Sequence, residues 1–143
     1  MKIHPYLNFD GQAEEAMNFY KKTLGGEFDG GINYFSEIPG MEIREEDKHR
    51  VMHITLKLSE EVKIMASDNM PSMGHQLNVG NHNYISLMPD SKEQGKKFFD
   101  GLSEGGKIEM SYEKAFWGAY YGSFTDKYGN GWMVNYTLKE GEE

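Results

Sequence analysis

NYISLMPDSKEQGKKFFDGLSEGGK, residues Asn83–Lys107, is where the chain starts over. Asn83–Met88 reads as a strand, and the Pro-Asp pair after it is turn chemistry. Ser91 with Gln94 then makes an S-x-x-Q capping box, in which the cap hydroxyl takes an amide of the first turn that no helical carbonyl can reach. Phe98, Phe99 and Leu102 supply the apolar side of the helix that follows. Gly105-Gly106 ends it, and Lys107–Tyr112 runs extended.

The same order stands at the start of the chain. Ile3–Phe9 reads as a strand with Tyr6 and Leu7 at its centre. Asp10 is the expected N-cap, with Glu14 and Glu15 in the first turn, where acidic groups favour the helix dipole. Ala13, Ala16, Met17, Tyr20 and Leu24 recur at helical spacing, Gly25-Gly26 closes the helix, and Glu27–Phe35 is extended. Tyr6 and Tyr84 are 78 apart, as are Leu24 and Leu102. Phe19-Tyr20 and Phe98-Phe99 are 79 apart, and the two Gly-Gly pairs 80. Four markers in one order predict a duplicated strand–helix–three-strand unit. Each half alone has little surface to bury, so the halves are expected to fold against each other.

Each half closes with further strands. Val51–Leu58 (VMHITLKL) alternates, with Val51, His53, Thr55 and Lys57 on one face and Met52, Ile54, Leu56 and Leu58 on the other. Val62–Ala66 is its expected hairpin partner. Phe116–Tyr136, FWGAYYGSFTDKYGNGWMVNY, holds both tryptophans and reads as strands Ala119–Thr125 and Trp132–Tyr136 about a turn built on Asp126 and Gly129-Asn130-Gly131. Ser36–Arg50 is polar, carries Pro-Gly, and is expected to be a long mobile loop. The organisation predicted is one domain over 1–143, with module 1 at 1–67, a Gly/Asn-rich linker at 68–82 and module 2 at 83–143.

Composition excludes several function classes. A net charge of −8 leaves no basic stripe for nucleic acid or an anionic membrane surface. The absence of cysteine removes disulfides, thiolate metal sites and a cysteine nucleophile. MKIHPYLNFDG lacks the apolar run of a secretory signal, and nothing approaches the ~20 apolar residues of a membrane span, so a soluble cytoplasmic protein is expected. Gly25-Gly26 follows a helix and Gly129–Gly131 lies in a hairpin, so neither is the strand-to-helix glycine turn of a dinucleotide or methyl-donor site.

Three segments carry a resemblance to a known family: PYLNFDGQAEEAMNFYKKTLGGE, VMHITLKL with VKIMASDNMP, and the aromatic hairpin. They resemble the vicinal oxygen chelate superfamily, which includes glyoxalase I, bleomycin-resistance proteins and extradiol dioxygenases. Within it they look like the PhnB-like, 3-demethylubiquinone-9 3-methyltransferase-like branch. The resemblance implies an α+β fold of two tandem βαβββ modules forming cupped mixed sheets. It implies a homodimer as partner, with segment exchange through Ser36–Arg50 as one arrangement. It also implies four metal positions, which here carry His4, Met65, Asn83 (with His82 beside it) and Asn135. One imidazole, a thioether and two amides depart from the His, Glu and Gln of metal-binding relatives, so no cofactor is expected.

His53 is the candidate acid or base, an imidazole on a strand that can titrate near neutral pH. Trp117, Tyr120 and Tyr121 are candidate walls for flat or cationic ligands; Tyr120 and Tyr121 must face opposite ways. With His4 and Asn135 these complete the expected ligand-binding set. Glu109 and Tyr112 lie on a second-module strand, Glu109 read as facing solvent with a carboxylate in the cup as the alternative, and His49 and His75 are read as solvated loop residues. The function expected is metal-free binding of a small molecule in an aromatic-lined cup. The alternatives are a divalent-metal-dependent lyase, isomerase or dioxygenase, and a structural dimer without a ligand pocket.

Overall fold

The structure, a computed structural model, describes residues 1–143. The chain forms two compact units, Met1–Asn78 and Val79–Glu143. The first contains β1 (Tyr6–Phe9), α1 (Ala13–Leu24), β2 (Glu27–Tyr34), β3 (Val51–Lys57) and β4 (Lys63–Asp68). The second contains β5 (Tyr84–Leu87), α2 (Lys92–Ser103), β6 (Lys107–Ala115), β7 (Ala119–Thr125) and β8 (Gly131–Thr137). The sheet orders are β1-β4-β3-β2 and β5-β8-β7-β6. In each, the first strand runs parallel to the fourth and the remaining neighbours are antiparallel. The two units are therefore two βαβββ modules of an α+β fold.

Each sheet has one face beneath its helix and one face free of it. In the first unit, Ile54, Leu56, Ile64 and Ala66 alternate along β3 and β4 and are 0–3% exposed. They meet the fully buried Ala13, Ala16, Met17 and Tyr20 of α1. In the second, Phe124, Trp132, Val134 and Tyr136 pack with Phe99 and Leu102 of α2. Full burial of one such side chain contributes about 1.5–3 kcal/mol, so these faces hold the helices in place. The opposite parity carries Thr55, Lys57, Lys63 and Met65 in the first unit and Tyr121, Ser123, Thr125, Met133 and Asn135 in the second.

The Gly-Gly pairs have a packing reason. A Cβ on Gly26 would stand 2.5 Å from the Lys57 carbonyl oxygen, and one on Gly106 would stand 2.2 Å from that of Thr125. In both units the second glycine lets the chain leave the helix against the end of the third strand.

Several expectations need correcting. β1 begins at Tyr6, not Ile3: Pro5 has no N–H to give a ladder, and only its carbonyl pairs, accepting from Met65 N at 3.0 Å. Asp10 does not cap α1. Asp68, brought alongside by β4, accepts from Ala13 N at 3.0 Å and from Val51 N at 2.8 Å. Asp10 instead receives Arg50 Nη1 at 2.8 Å. The strict alternation read into β3 breaks at its start. Asn33 pairs with His53 but Tyr34 pairs with Val51, so Met52 is an extra residue. This bulge sends Val51 into the core (0%) and Met52 outward (37%). Residues 36–50 are not a free loop. Short 3-10 turns at Phe35–Glu37 and Glu45–Asp47 give the stretch structure. Arg50 ties its end to Asp47, Asp10 and the carbonyl and side chain of Asn69.

The repeat also has a different register from the one the tyrosines suggest. Tyr6 pairs with Met65, whereas Tyr84 pairs with Gly131 and it is Ser86 that pairs with Met133. The β3–β4 hairpin begins at Lys57↔Lys63 and the β7–β8 hairpin at Thr125↔Gly131. Counted from those ends, Met65 matches Met133. Tyr6 therefore corresponds to Ser86, and Tyr84 stands two residues earlier in its strand.

Candidate functional site

The helix-free face of the first unit carries a hydrogen-bonded chain. Tyr6 Oη lies 3.1 Å from His53 Nδ1, and His53 Nε2 lies 2.9 Å from Thr55 Oγ1. The rings of Tyr6 and His53 are 5.7 Å apart and tilted. Strand pairing produces this contact. Tyr6 and Thr55 both stand opposite Met65, from either side of β4, and His53 is two residues from Thr55 on the same face. Both imidazole nitrogens thus have partners and the ring orientation is fixed. A neutral imidazole donates from one nitrogen and accepts at the other, and each of these hydroxyls can serve as the donor or the acceptor that the tautomer requires.

A cleft of about 570 Å³ opens at the end of β1 and β4 in the same unit. Asn8, Ser67, Asn69, His75 and Gln76 line it, with Phe35 as an apolar wall. Asn8 and Ser67 are register partners. His75 is exposed, yet its Nδ1 accepts from Met70 N at 3.2 Å, which fixes its ring beside the cleft. This cleft was not foreseen. Amides predominate in its lining, joined by Ser67, the Asp68 carboxyl, the His75 imidazole and apolar Phe35 and Leu77, and most of these lie in the stretch after Ser67 that reads as linker in sequence.

The second unit's helix-free face is aromatic at one end and carboxylate-bearing at the other. Tyr121 lies opposite Asn135, and Trp117, half-exposed in the β6–β7 turn, meets the Tyr121 ring edge-to-face at 5.6 Å. Phe116, 98% exposed, packs edge-to-face on Trp117 at 5.1 Å. Asn135 Nδ2 reaches Thr137 Oγ1 at 3.5 Å. At the other end, Tyr84 Oη donates to both oxygens of Glu109, at 2.8 and 3.0 Å, and Thr125 Oγ1 donates to Glu109 Oε2 at 3.2 Å. The hydrogen bond to Glu109, with burial and the Glu109 and Tyr121 charges behind it, pushes the Tyr84 phenol upward.

Of the residues singled out in sequence, His53, Trp117, Tyr121 and Asn135 lie on helix-free faces. Tyr120 points the other way. It stacks near Tyr112 at 5.8 Å, with Lys92 Nζ 5.6 Å from its ring centre, and so belongs to the α2 side. His4 is half-buried and precedes β1 without joining it. Asn83 and His82 are exposed ahead of β5. Sequence reasoning does not single out Tyr6, Thr55, Tyr84 or Thr125 as site residues, and it offers Glu109 as a cup carboxylate only as the alternative to an exposed one. What places them is cross-strand register, which a single strand pattern does not contain.

The metal positions implied by resemblance hold an imidazole and a thioether in the first unit, His4 and Met65, and two amides in the second, Asn83 and Asn135. No group of three His, Asp or Glu side chains comes together as a metal site. This donor set does not fit a divalent ion that favours imidazole and carboxylate ligands.

A fold of two βαβββ modules with such faces has a match among known families. The sequence profile of the Glyoxalase/Bleomycin resistance protein/Dioxygenase superfamily matches residues 2–134, and the chain belongs to that superfamily. Among individual relatives it is similar to Protein YjdN of Escherichia coli (strain K12), with 34% identity over 94% of this chain and 95% of that protein. It is also similar to the solved structure of PA1353 from Pseudomonas aeruginosa, with 34% identity, a TM-score of 0.85, and coverage of 97% and 99% of the two chains. A third relative is the PhnB protein from Bacillus cereus, with 27% identity, a TM-score of 0.75, and coverage of 96% and 100%.

Proposed function

We propose that this PhnB-like protein binds a small organic molecule on the helix-free faces of its sheets, and that it does so without a resident metal. The observation that carries this reading is the Tyr6–His53–Thr55 chain. A polar triad with both imidazole nitrogens engaged, on the face that the helix leaves free, is a recognition surface more than a packing device. The edge-to-face pair of exposed Trp117 and half-buried Tyr121 supports it, since aromatic faces suit flat ligands. We further propose that the protein forms a homodimer, as the family resemblance implies, and acts in the cytoplasm, as its sequence leads one to expect; sedimentation at micromolar concentration tests the assembly.

The binding reading is tested by a thermal-shift panel of flat aromatic and heteroaromatic compounds, run with and without divalent ions. Hits that stabilise the wild type without metal, and lose their effect in His53→Ala or Trp117→Ala, support it. A panel that gives stabilisation only with a divalent ion favours metal-dependent chemistry instead. No hit under either condition sinks the proposal.

A further inference from the structure

We infer that Glu109 anchors a site for a ligand bearing a primary ammonium group. The inference rests on the proposed role of the helix-free faces and names the chemical class the second unit would take. The carboxylate is fixed in place: Tyr84 Oη donates to both its oxygens and Thr125 Oγ1 to one of them. A carboxylate offers about four lone-pair directions, and these two hydroxyls do not use them all. Its charge is unmatched by any ion pair of the chain. Lys107 stands opposite Thr125 in register yet makes no ion pair with it. The carboxylate is also exposed, so a ligand can reach it.

The arrangement is built, not incidental to an extended strand. Tyr84 belongs to β5 and Glu109 to β6, at opposite edges of the four-stranded sheet. The tyrosine ring reaches across because its strand partner is Gly131, whose missing side chain leaves the space that the ring occupies. An ammonium group that approaches Glu109 therefore meets a carboxylate already oriented by two hydroxyls, and a charge-assisted hydrogen bond to it stabilises the cation. The net charge of −8 adds a long-range pull on such ligands.

The test uses phenethylammonium chloride and its neutral counterpart 2-phenylethanol, titrated into the full chain and followed by NMR. The ammonium compound is expected to bind at least about tenfold more tightly than the alcohol. Glu109→Gln should remove that difference. Tyr84→Phe, which keeps the ring and frees the carboxylate, should weaken ammonium binding by a smaller factor. Equal affinities for the two probes, or ammonium binding unchanged in Glu109→Gln, overturn the inference. If neither probe binds while compounds from the thermal-shift panel still bind in a His53-dependent way, this inference falls and the proposed function stands.

Discussion

The ring of Tyr84 occupies the space that a side chain on Gly131 would need: a Cβ there would stand 2.8 and 2.9 Å from two ring carbons. A methyl group at this position must displace the ring, and with it the hydroxyl that holds Glu109. Gly131→Ala is expected to shift the Tyr84 ring resonances and to cost about 1–3 kcal/mol of stability, the usual range for overpacking. An alanine variant with unmoved Tyr84 signals and wild-type stability would contradict this geometry.

Asp126 organises the aromatic hairpin from inside. It is 3% exposed, accepts from Tyr128 N at 2.9 Å and Asn130 N at 3.0 Å through Oδ1, and takes the Trp132 indole N–H at 2.8 Å through Oδ2. Asp126→Ala leaves buried donors without their acceptor. The expected loss is roughly 3 kcal/mol, read from urea midpoints, together with a changed Trp132 fluorescence. A loss below about 0.5 kcal/mol, the level of an unremarkable surface change, would mean that the turn does not depend on this carboxylate.

Asp68 does the corresponding work in the first unit, with each oxygen serving a different backbone amide, Ala13 N and Val51 N. Asp68→Ala should destabilise by about 2–3 kcal/mol and loosen the first turn of α1. Asp68→Asn keeps only one acceptor oxygen and should fall between the two. Hydrogen exchange at Ala13 and Val51 is the direct readout; unchanged protection in both variants would refute the assignment.

Two tyrosines predict a loss of stability in alkali. The hydrogen bond to Glu14, with burial behind it, lifts Tyr34 from 10.0 to about 12. Burial, with the Glu93 charge behind it, lifts Tyr112 from 10.0 to about 12. Their protons are held more tightly in the folded chain than in the unfolded one. The stabilisation from both is therefore complete below pH 10 and lost as pH rises from 10 towards 12. Urea midpoints should fall across that window, and Tyr34→Phe and Tyr112→Phe should each flatten the fall. A profile of equal slope in the variants would show that other groups are responsible.

How far the fold could be read in advance depends on whether its cause is local in sequence. The helices, the S-x-x-Q cap and the Gly-Gly stops are local signals. Ser91 Oγ does accept from Gln94 N at 3.1 Å, although the Gln94 side chain goes to Asp90 N at 2.6 Å and not to the cap residue itself. The aromatic hairpin was visible for the same reason. Asp68 capping a helix that begins at Ala13 was not, because the two meet only through β1–β4 pairing. The bulge at Met52 was hidden too, since VMHITLKL alternates well enough to conceal an extra residue. The site shows the same division. His53, Tyr121 and Asn135 could be placed by strand parity. Tyr120 was placed only as the opposite of Tyr121, and its lysine and tyrosine neighbours assign it to the helix side. The contacts of Tyr6 and Glu109 carry no local mark, because their partners His53 and Tyr84 lie on strands that are not even adjacent to their own.

The two tryptophans give the most direct test of ligand binding on the helix-free faces. The Trp117 side chain stands half-exposed beside Tyr121, whereas the Trp132 indole is buried on the α2 side and held by Asp126. Each has one indole N–H signal. On titration with a thermal-shift hit, the His53 ring signals or the Trp117 indole signal, according to which unit's helix-free face the hit occupies, should move while the Trp132 indole stays in place. Movement of Trp132 with Trp117 and His53 unchanged would contradict the account.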